Sequence, residues 1–315
     1  MKVAVIGAGS VGTAVAYASM IRGVADEIAL YDTNGAKATA EILDLRHGRQ
    51  FVSPVRIGGG DDPAVCAGAD VIVVTAGAKQ HPGQTRLDLA AANASLVTRA
   101  LPALVERAPD ALVLIVTNPV DVVTFVAQEA TEHPAGRVFG SGTVLDTSRL
   151  RFLLAERLGV AVNSVHATVV GEHGDSEIVL WSTATVGGVP LAEVTGPTGA
   201  TIDPEQHDAL LTEVRGAAYR IIEGKGATNL AIGLTTARIL ECVAGDERAV
   251  LPVSVRTTIG GVGDVCLSLP SVVGRDGVLT RLWTPLDEQE QAGLRASASA
   301  IRAVLDTVAD VRATG

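Results

Sequence analysis

One short stretch near the amino end limits the fold more than anything else in the chain. Lys2 to Ile6 is an apolar run that fits a strand, and Gly7-Ala8-Gly9-Ser10-Val11-Gly12 fits a turn. Val11 to Arg22 is an Ala-rich helical stretch ending at Gly23, and Glu27 to Tyr31 reads as a second strand closed by Asp32. Strand, turn, helix and strand in about thirty residues make the two strands parallel neighbours with the helix packed across them. Uninterrupted apolar runs recur at Ala69 to Thr75 and Ala111 to Thr117, each after a helical stretch, as strands covered on both faces require. The first half is therefore expected to be a doubly wound parallel sheet.

Beyond about Gly142 the pattern changes. A long helix at Thr147 to Leu158, strands at Val165 to Val170 and Val250 to Arg256, and a terminal helix at Asp287 to Val311 predict a mixed α+β half. The expected class is α/β, with a Rossmann sheet over residues 1–142 and a mixed α+β substrate domain over residues 143–315. A length of 315 residues accommodates two such units. No internal repeat or low-complexity linker separates them, so a sizeable shared interface is expected.

Charge narrows the partners. With 25 Lys and Arg against 35 Asp and Glu, the net charge of -10 argues against nucleic acid, which needs clustered basic surface. An anionic ligand must then be met locally. The three cysteines, Cys66, Cys242 and Cys266, are odd in number and lack metal-ligand spacing, so buried thiols are expected rather than disulfides or a metal site. Gly7, Gly9 and Gly12 interrupt the apolar start of the chain, and no apolar run reaches the ~18 residues of a membrane span. A soluble, cytoplasmic protein with no membrane partner is expected.

The glycine motif alone is a weak signal, since 34 glycines in 315 residues produce roughly 0.4 chance matches. Its context makes it strong. It follows a strand, opens a helix, and is answered twenty residues after Gly12 by Asp32 at the end of the next strand. In that arrangement the helix amino end meets a pyrophosphate and the carboxylate holds ribose hydroxyls. A carboxylate there repels a 2′-phosphate and no Arg follows within ten residues, which favours NAD over NADP.

A second cluster carries proton chemistry. Gly171-Glu172-His173-Gly174-Asp175-Ser176 puts a histidine among glycines directly after a strand, and Leu145-Asp146-Thr147-Ser148-Arg149 puts an acid and a base three apart at a helix start. Taken with TAGAKQHPGQTRLDL from Thr75, TNPVD from Thr117, GSGTVLDTSR from Gly140 and EGKGATNLAIG from Glu223, the chain resembles the lactate/malate dehydrogenase family over nearly its whole length.

The resemblance implies that His173 is the general acid/base, Asp146 its carboxylate partner, and Arg149 the clamp on the substrate carboxylate. Asn118 would contact the reacting oxygen and Arg86 would polarise the carbonyl. Gly7, Gly9, Val11, Gly12, Asp32, Lys37, Gly77, Ala78, Thr117, Asn118 and Ser141 would line the NAD site. Lys79 to Asp88, polar and carrying Pro82 and Gly83, suits a lid. Within it the family position matching Gln80 carries Arg in malate dehydrogenases and Gln in lactate dehydrogenases, so pyruvate and L-lactate are the expected pair, with Thr228 on the methyl side. Malate dehydrogenase, a branched 2-hydroxyacid dehydrogenase and a non-catalytic NAD-binding protein remain as alternatives. Arg151 and His166 match positions that grip fructose 1,6-bisphosphate at a subunit interface in bacterial relatives, which implies a homotetramer and an allosteric effector.

Overall fold

The computed structural model describes residues 1–78 and 86–314. Its centre is a parallel sheet of β1 (Lys2–Ile6), β2 (Glu27–Tyr31), β3 (Arg56–Gly60), β4 (Val71–Val74), β5 (Leu112–Ile115) and β6 (Val138–Gly140). The strands lie in the order β3-β2-β1-β4-β5-β6, so the direction of winding reverses between β1 and β4. Ligands of such sheets sit beyond the carboxyl ends of the strands at that reversal.

Alternation along the strands explains the two layers of helices. Val3, Val5 and Leu30 turn to one face, where α1 (Ser10–Arg22) and α2 (Gly35–His47) cover them. Ala4, Ile6, Ile72 and Val74 turn to the other, under α3 (Arg86–Val105) and α4 (Val120–Thr131). The runs VIVV of β4 and LVLI of β5 are buried throughout, as strands covered on both faces must be.

The second half begins with α5 (Val144–Leu158) and continues through short paired strands, β7 (Val165–His166), β8 (Val169–Val170), β9 (Ile178–Val179), β10 (Thr185–Val186) and β11 (Val189–Pro190). Then come α6 (His207–Lys225), α7 (Leu230–Ala244), β12 (Ala249–Ile259), β13 (Gly263–Gly274), β14 (Gly277–Arg281) and α8 (Glu288–Thr314). β12 pairs antiparallel with β6 through Ser254 and Gly140, so β12, β13 and β14 extend the first sheet to nine strands. The helix α7 also packs Ile239 and Leu240 into the core beneath α1.

Three expectations change. The single strand expected over Val165 to Val170 is two: β7 pairs with β10 and β8 with β9, so the segment crosses between two small sheets. The strand at Val250 to Arg256 runs longer, and its antiparallel partner β13, with β14 beyond it, is an addition to the expected strands. The glycine-rich edge strand β3, with sequence RIGGG, was also unforeseen, because it lacks the apolar run that marks its neighbours. Cys66, Cys242 and Cys266 are free and buried. No helix of the described residues is long and apolar enough to cross a membrane.

Candidate active site

The carboxyl ends of the parallel strands deliver the expected cofactor residues to one edge. Gly7 has a φ of +105°, and a Cβ at Gly12 would lie 1.8 Å from the Gly7 carbonyl oxygen, so both glycines are dictated by the turn itself. Gly9 differs: a Cβ there would meet nothing within 4 Å. It caps α1 with no side-chain hydrogen bond, leaving the first-turn N–H groups available to phosphate oxygens. Val11 is half-buried in that turn, and Lys37 is exposed in the first turn of α2.

Asp32 stands at the end of β2, where it accepts from Ala8 N at 2.7 Å and Asn34 N at 2.9 Å. Its carboxylate thereby also braces the glycine turn, and two oxygens retain lone pairs for hydroxyls. Across the reversal point, Ala78 N donates to Asn93 Oδ1 at 2.7 Å, and Asn93 Nδ2 donates to the Asn118 carbonyl at 2.6 Å. Thr117 Oγ1 donates to Ala76 O at 2.8 Å, and a Cβ at Gly77 would lie 2.7 Å from Thr117 Cγ2. Ser141 N donates to Ile115 O at 2.8 Å. Open space over a helix amino end, flanked by a carboxylate at the second strand, fits a dinucleotide.

Next to this edge lies a cavity of about 240 Å³ lined by Asn118, Asp146, Arg149, His173, Glu177 and Arg215, among others. Asp146, in the first turn of α5 and 3% exposed, holds two cations at once. One oxygen lies 2.6 Å from His173 Nδ1 and the other accepts from Arg149 Nη1 at 2.7 Å. Among the described residues only Nη1 of Arg149 is engaged, so the rest of its guanidinium can meet an anion. The pairing of Asp146 with Arg149 is thus more than a local helix contact, because the same carboxylate orients the histidine.

The histidine loop is held by hydrogen bonds from four elements. Thr143 Oγ1 donates to Val169 O at 2.6 Å and Val169 N donates to Thr147 Oγ1 at 2.9 Å, docking β8 onto α5. Gly171 exchanges both backbone bonds with Ser268 of β13, and Glu172 N donates to Ser297 Oγ of α8 at 2.7 Å. His173 N donates to Asp121 Oδ2 of α4 at 2.7 Å, while Ser254 Oγ donates to Asp121 Oδ1 at 2.5 Å. Asp121 is 2% exposed, and burial pushes its carboxyl up to about 7 against these two hydrogen bonds.

The electrostatics favour a protonated histidine. Burial works against the imidazolium, but the charge and hydrogen bond of Asp146 outweigh it and raise His173 to about 9. Burial likewise opposes the Asp146 carboxylate, yet His173 and Arg149 hold it below the usual carboxylate range. Burial pushes Glu177 up to about 8, with the Asp146 charge adding to it. Asp146, His173 and Glu177 place their ligand-type atoms within 4.8 Å of one another, but both Asp146 oxygens are already engaged.

Other expected residues fall elsewhere. Gln80 lies outside the described residues, as does the expected lid through Thr85. Arg86 opens α3, whose Leu89 lines the cavity, but its side chain is outside the description. Thr228 is half-buried in the loop between α6 and α7 and does not line the cavity. Arg151 Nε donates to Ala167 O at 2.9 Å, directly beside the exposed His166. Asp121, Asn93 and Glu177 were not singled out from sequence. The first could have been, as a carboxyl inside the otherwise apolar helical run VDVVTFVA.

A doubly wound sheet with a dinucleotide cradle, and a His–Asp couple at the seam with the second half, define a nicotinamide-dependent oxidoreductase. The family profile described as "lactate/malate dehydrogenase, NAD binding domain" matches residues 1–140, and "lactate/malate dehydrogenase, alpha/beta C-terminal domain" matches residues 143–311. The chain belongs to the lactate/malate dehydrogenase family. It is 47% identical to an L-lactate dehydrogenase of Bifidobacterium animalis subsp. lactis over 96% of this chain and 95% of the relative. It is 48% identical to one of Synechococcus sp. over 98% and 99%. A crystal structure of the minor L-lactate dehydrogenase from Enterococcus mundtii superimposes with a TM-score of 0.91 at 39% identity, covering 98% of both chains.

Proposed function

We propose that the enzyme is an L-lactate dehydrogenase, interconverting pyruvate and L-lactate with NAD as hydride carrier. The observation that carries this reading is the single buried carboxylate of Asp146 bonded to both His173 and Arg149 within one cavity. The nicotinamide cofactor, which the glycine turn and Asp32 would hold, would supply the hydride for C2 of pyruvate when reduced and take it up from L-lactate when oxidised. Arg149 receives the substrate carboxylate with paired hydrogen bonds, which fixes C2 in space. His173 delivers a proton to the C2 oxygen as negative charge builds there, and Asp146 holds the ring in the tautomer that leaves Nε2 facing the substrate. Asn118 reaches the same oxygen from the β5 end. Arg86, at the start of α3, takes the role of stabilising the developing charge.

Residues 1–142 act as the cofactor unit and residues 143–315 as the substrate unit. Asp32 selects NAD over NADP by repelling the 2′-phosphate. Gln80 selects pyruvate, since it offers no counter-charge to the second carboxylate of oxaloacetate, and Thr228 leaves room beside the methyl group. Arg151 and His166 form the fructose 1,6-bisphosphate site of a cytoplasmic homotetramer. Self-association is supported by Tyr17, Ile21, Leu43, Leu230 and Leu234, large apolar side chains each more than half exposed on α1, α2 and α7. The test is loss of NADH absorbance with pyruvate, oxaloacetate and 2-ketoisocaproate. The expected kcat/KM for pyruvate exceeds that for oxaloacetate by about 100-fold or more. An equal or reversed preference overturns the reading.

A further inference from the structure

Of the ionisable groups in the cavity wall that the reaction above does not use, Glu172, Asp175, Glu177 and Arg215, Glu177 is the most deeply buried acid. It is 1% exposed, and its Oε1 has no hydrogen-bond partner among the described residues. Facing it from α6 is Arg215, whose Nη2 donates to the backbone carbonyl of Glu177 while its Nε is buried without a partner. A carboxyl oxygen and a guanidinium N–H both left unsatisfied in one wall are expensive features in a folded protein and point to a purpose. The Glu177 carboxyl also lies within 4.8 Å of both the Asp146 carboxylate and the His173 ring nitrogen.

We propose that Glu177 is a positioning residue, a second acid beside the His173–Asp146 couple, whose ionisation with Arg215 as counter-charge decides how far into alkaline pH His173 keeps its proton. The proposal rests on His173 being the proton donor. The reasoning is electrostatic. While neutral, Glu177 adds little to the field at the imidazole. Once ionised, it sets a second negative charge near the ring, so the imidazolium survives to higher pH than Asp146 alone allows. The protonated ring in turn favours ionised Glu177, and because burial raises the Glu177 carboxyl while Asp146 raises His173, the two groups titrate together in the alkaline range rather than independently.

The other charges around the pair are accounted for. Asp146 and Arg149 come from α5 and neutralise one another in part. From α4, Asp121 is bonded to the His173 amide. From α6, Tyr219 donates to Asp175 at 3.2 Å, and within the loop Glu172 accepts from Ser176. Arg215 remains as the cation facing Glu177, and its charge favours the ionised carboxylate.

The experiment is the pH profile of kcat/KM for pyruvate, measured on the full chain with saturating NADH, for the unaltered enzyme, Glu177→Gln, Arg215→Gln and the double variant. The alkaline limb should move to lower pH by about one unit in Glu177→Gln. It should move less in Arg215→Gln, where Glu177 merely stays neutral to higher pH, and no further in the double variant than in Glu177→Gln. Glu177→Asp should restore part of the shift, which a purely structural role would not predict. Melting temperatures identify any variant that fails to fold, in which case Arg215→Gln and Glu177→Asp carry the comparison. Superimposable alkaline limbs in the folded variants overturn the proposal. Absence of pyruvate turnover in the unaltered enzyme would instead strike at the substrate assignment.

Discussion

Asp146 shows how one residue type in one place joins two tasks. A carboxylate has two oxygens, and here one orients the imidazole while the other steadies the Arg149 guanidinium, the proposed clamp on the substrate. Its position in the first turn of α5 adds the favourable end of the helix dipole to a charge that burial disfavours. The direction of the His173 shift sets the pH behaviour. Pyruvate reduction needs the imidazolium, so its kcat/KM should stay level up to a pH of about 9 and fall above it. Lactate oxidation needs the neutral ring, so its kcat/KM should rise across the same region. Stopped-flow or steady-state profiles in both directions check this, and matching slopes of the same sign would contradict it. His173→Ala should lower turnover by about a thousandfold or more while NADH binding, followed by fluorescence, changes little, because the cradle lies on the other half.

At the scale of elements, α1 and β2 act together. The bond from Ala8 N to Asp32 means that the carboxylate proposed to hold the ribose also shapes the glycine turn. Asp32→Ser should therefore weaken NADH binding by about tenfold and narrow the preference over NADPH. An unchanged ratio of the two affinities would move the ribose contact elsewhere. Such elements were legible in the sequence because they are local: β1, α1 and β2 follow one another, and each carries its own pattern. His173, Asp146 and Arg149 were legible through their motifs. What stayed hidden depends on distant partners. β13 and β14 gain their place by pairing rather than by a distinctive run, and β3 is mostly glycine. Asn93 and Glu177 have no local mark, since their meaning comes from loops and helices that only the fold brings beside them.

For the whole molecule, a net charge of -10 makes any grip on a bisphosphate a local matter. Arg151, two residues beyond Arg149 on α5, donates to the carbonyl of Ala167, the residue that follows His166 in the chain. Fructose 1,6-bisphosphate at about millimolar concentration should lower the KM for pyruvate or raise the melting temperature, and Arg151→Gln with His166→Ala should remove the effect. Identical saturation curves and melts with and without the sugar would refute that assignment. The junction of β6 with β12 has a mechanical meaning too. Two lobes that share a continuous run of hydrogen-bonded strands cannot swing apart like jaws, so any gating of the cavity must come from smaller parts moving over a stiff frame. The same frame ties the fates of the halves: severed near Gly142, each would present a bare strand edge to its neighbours, and the severed halves would be prone to clump.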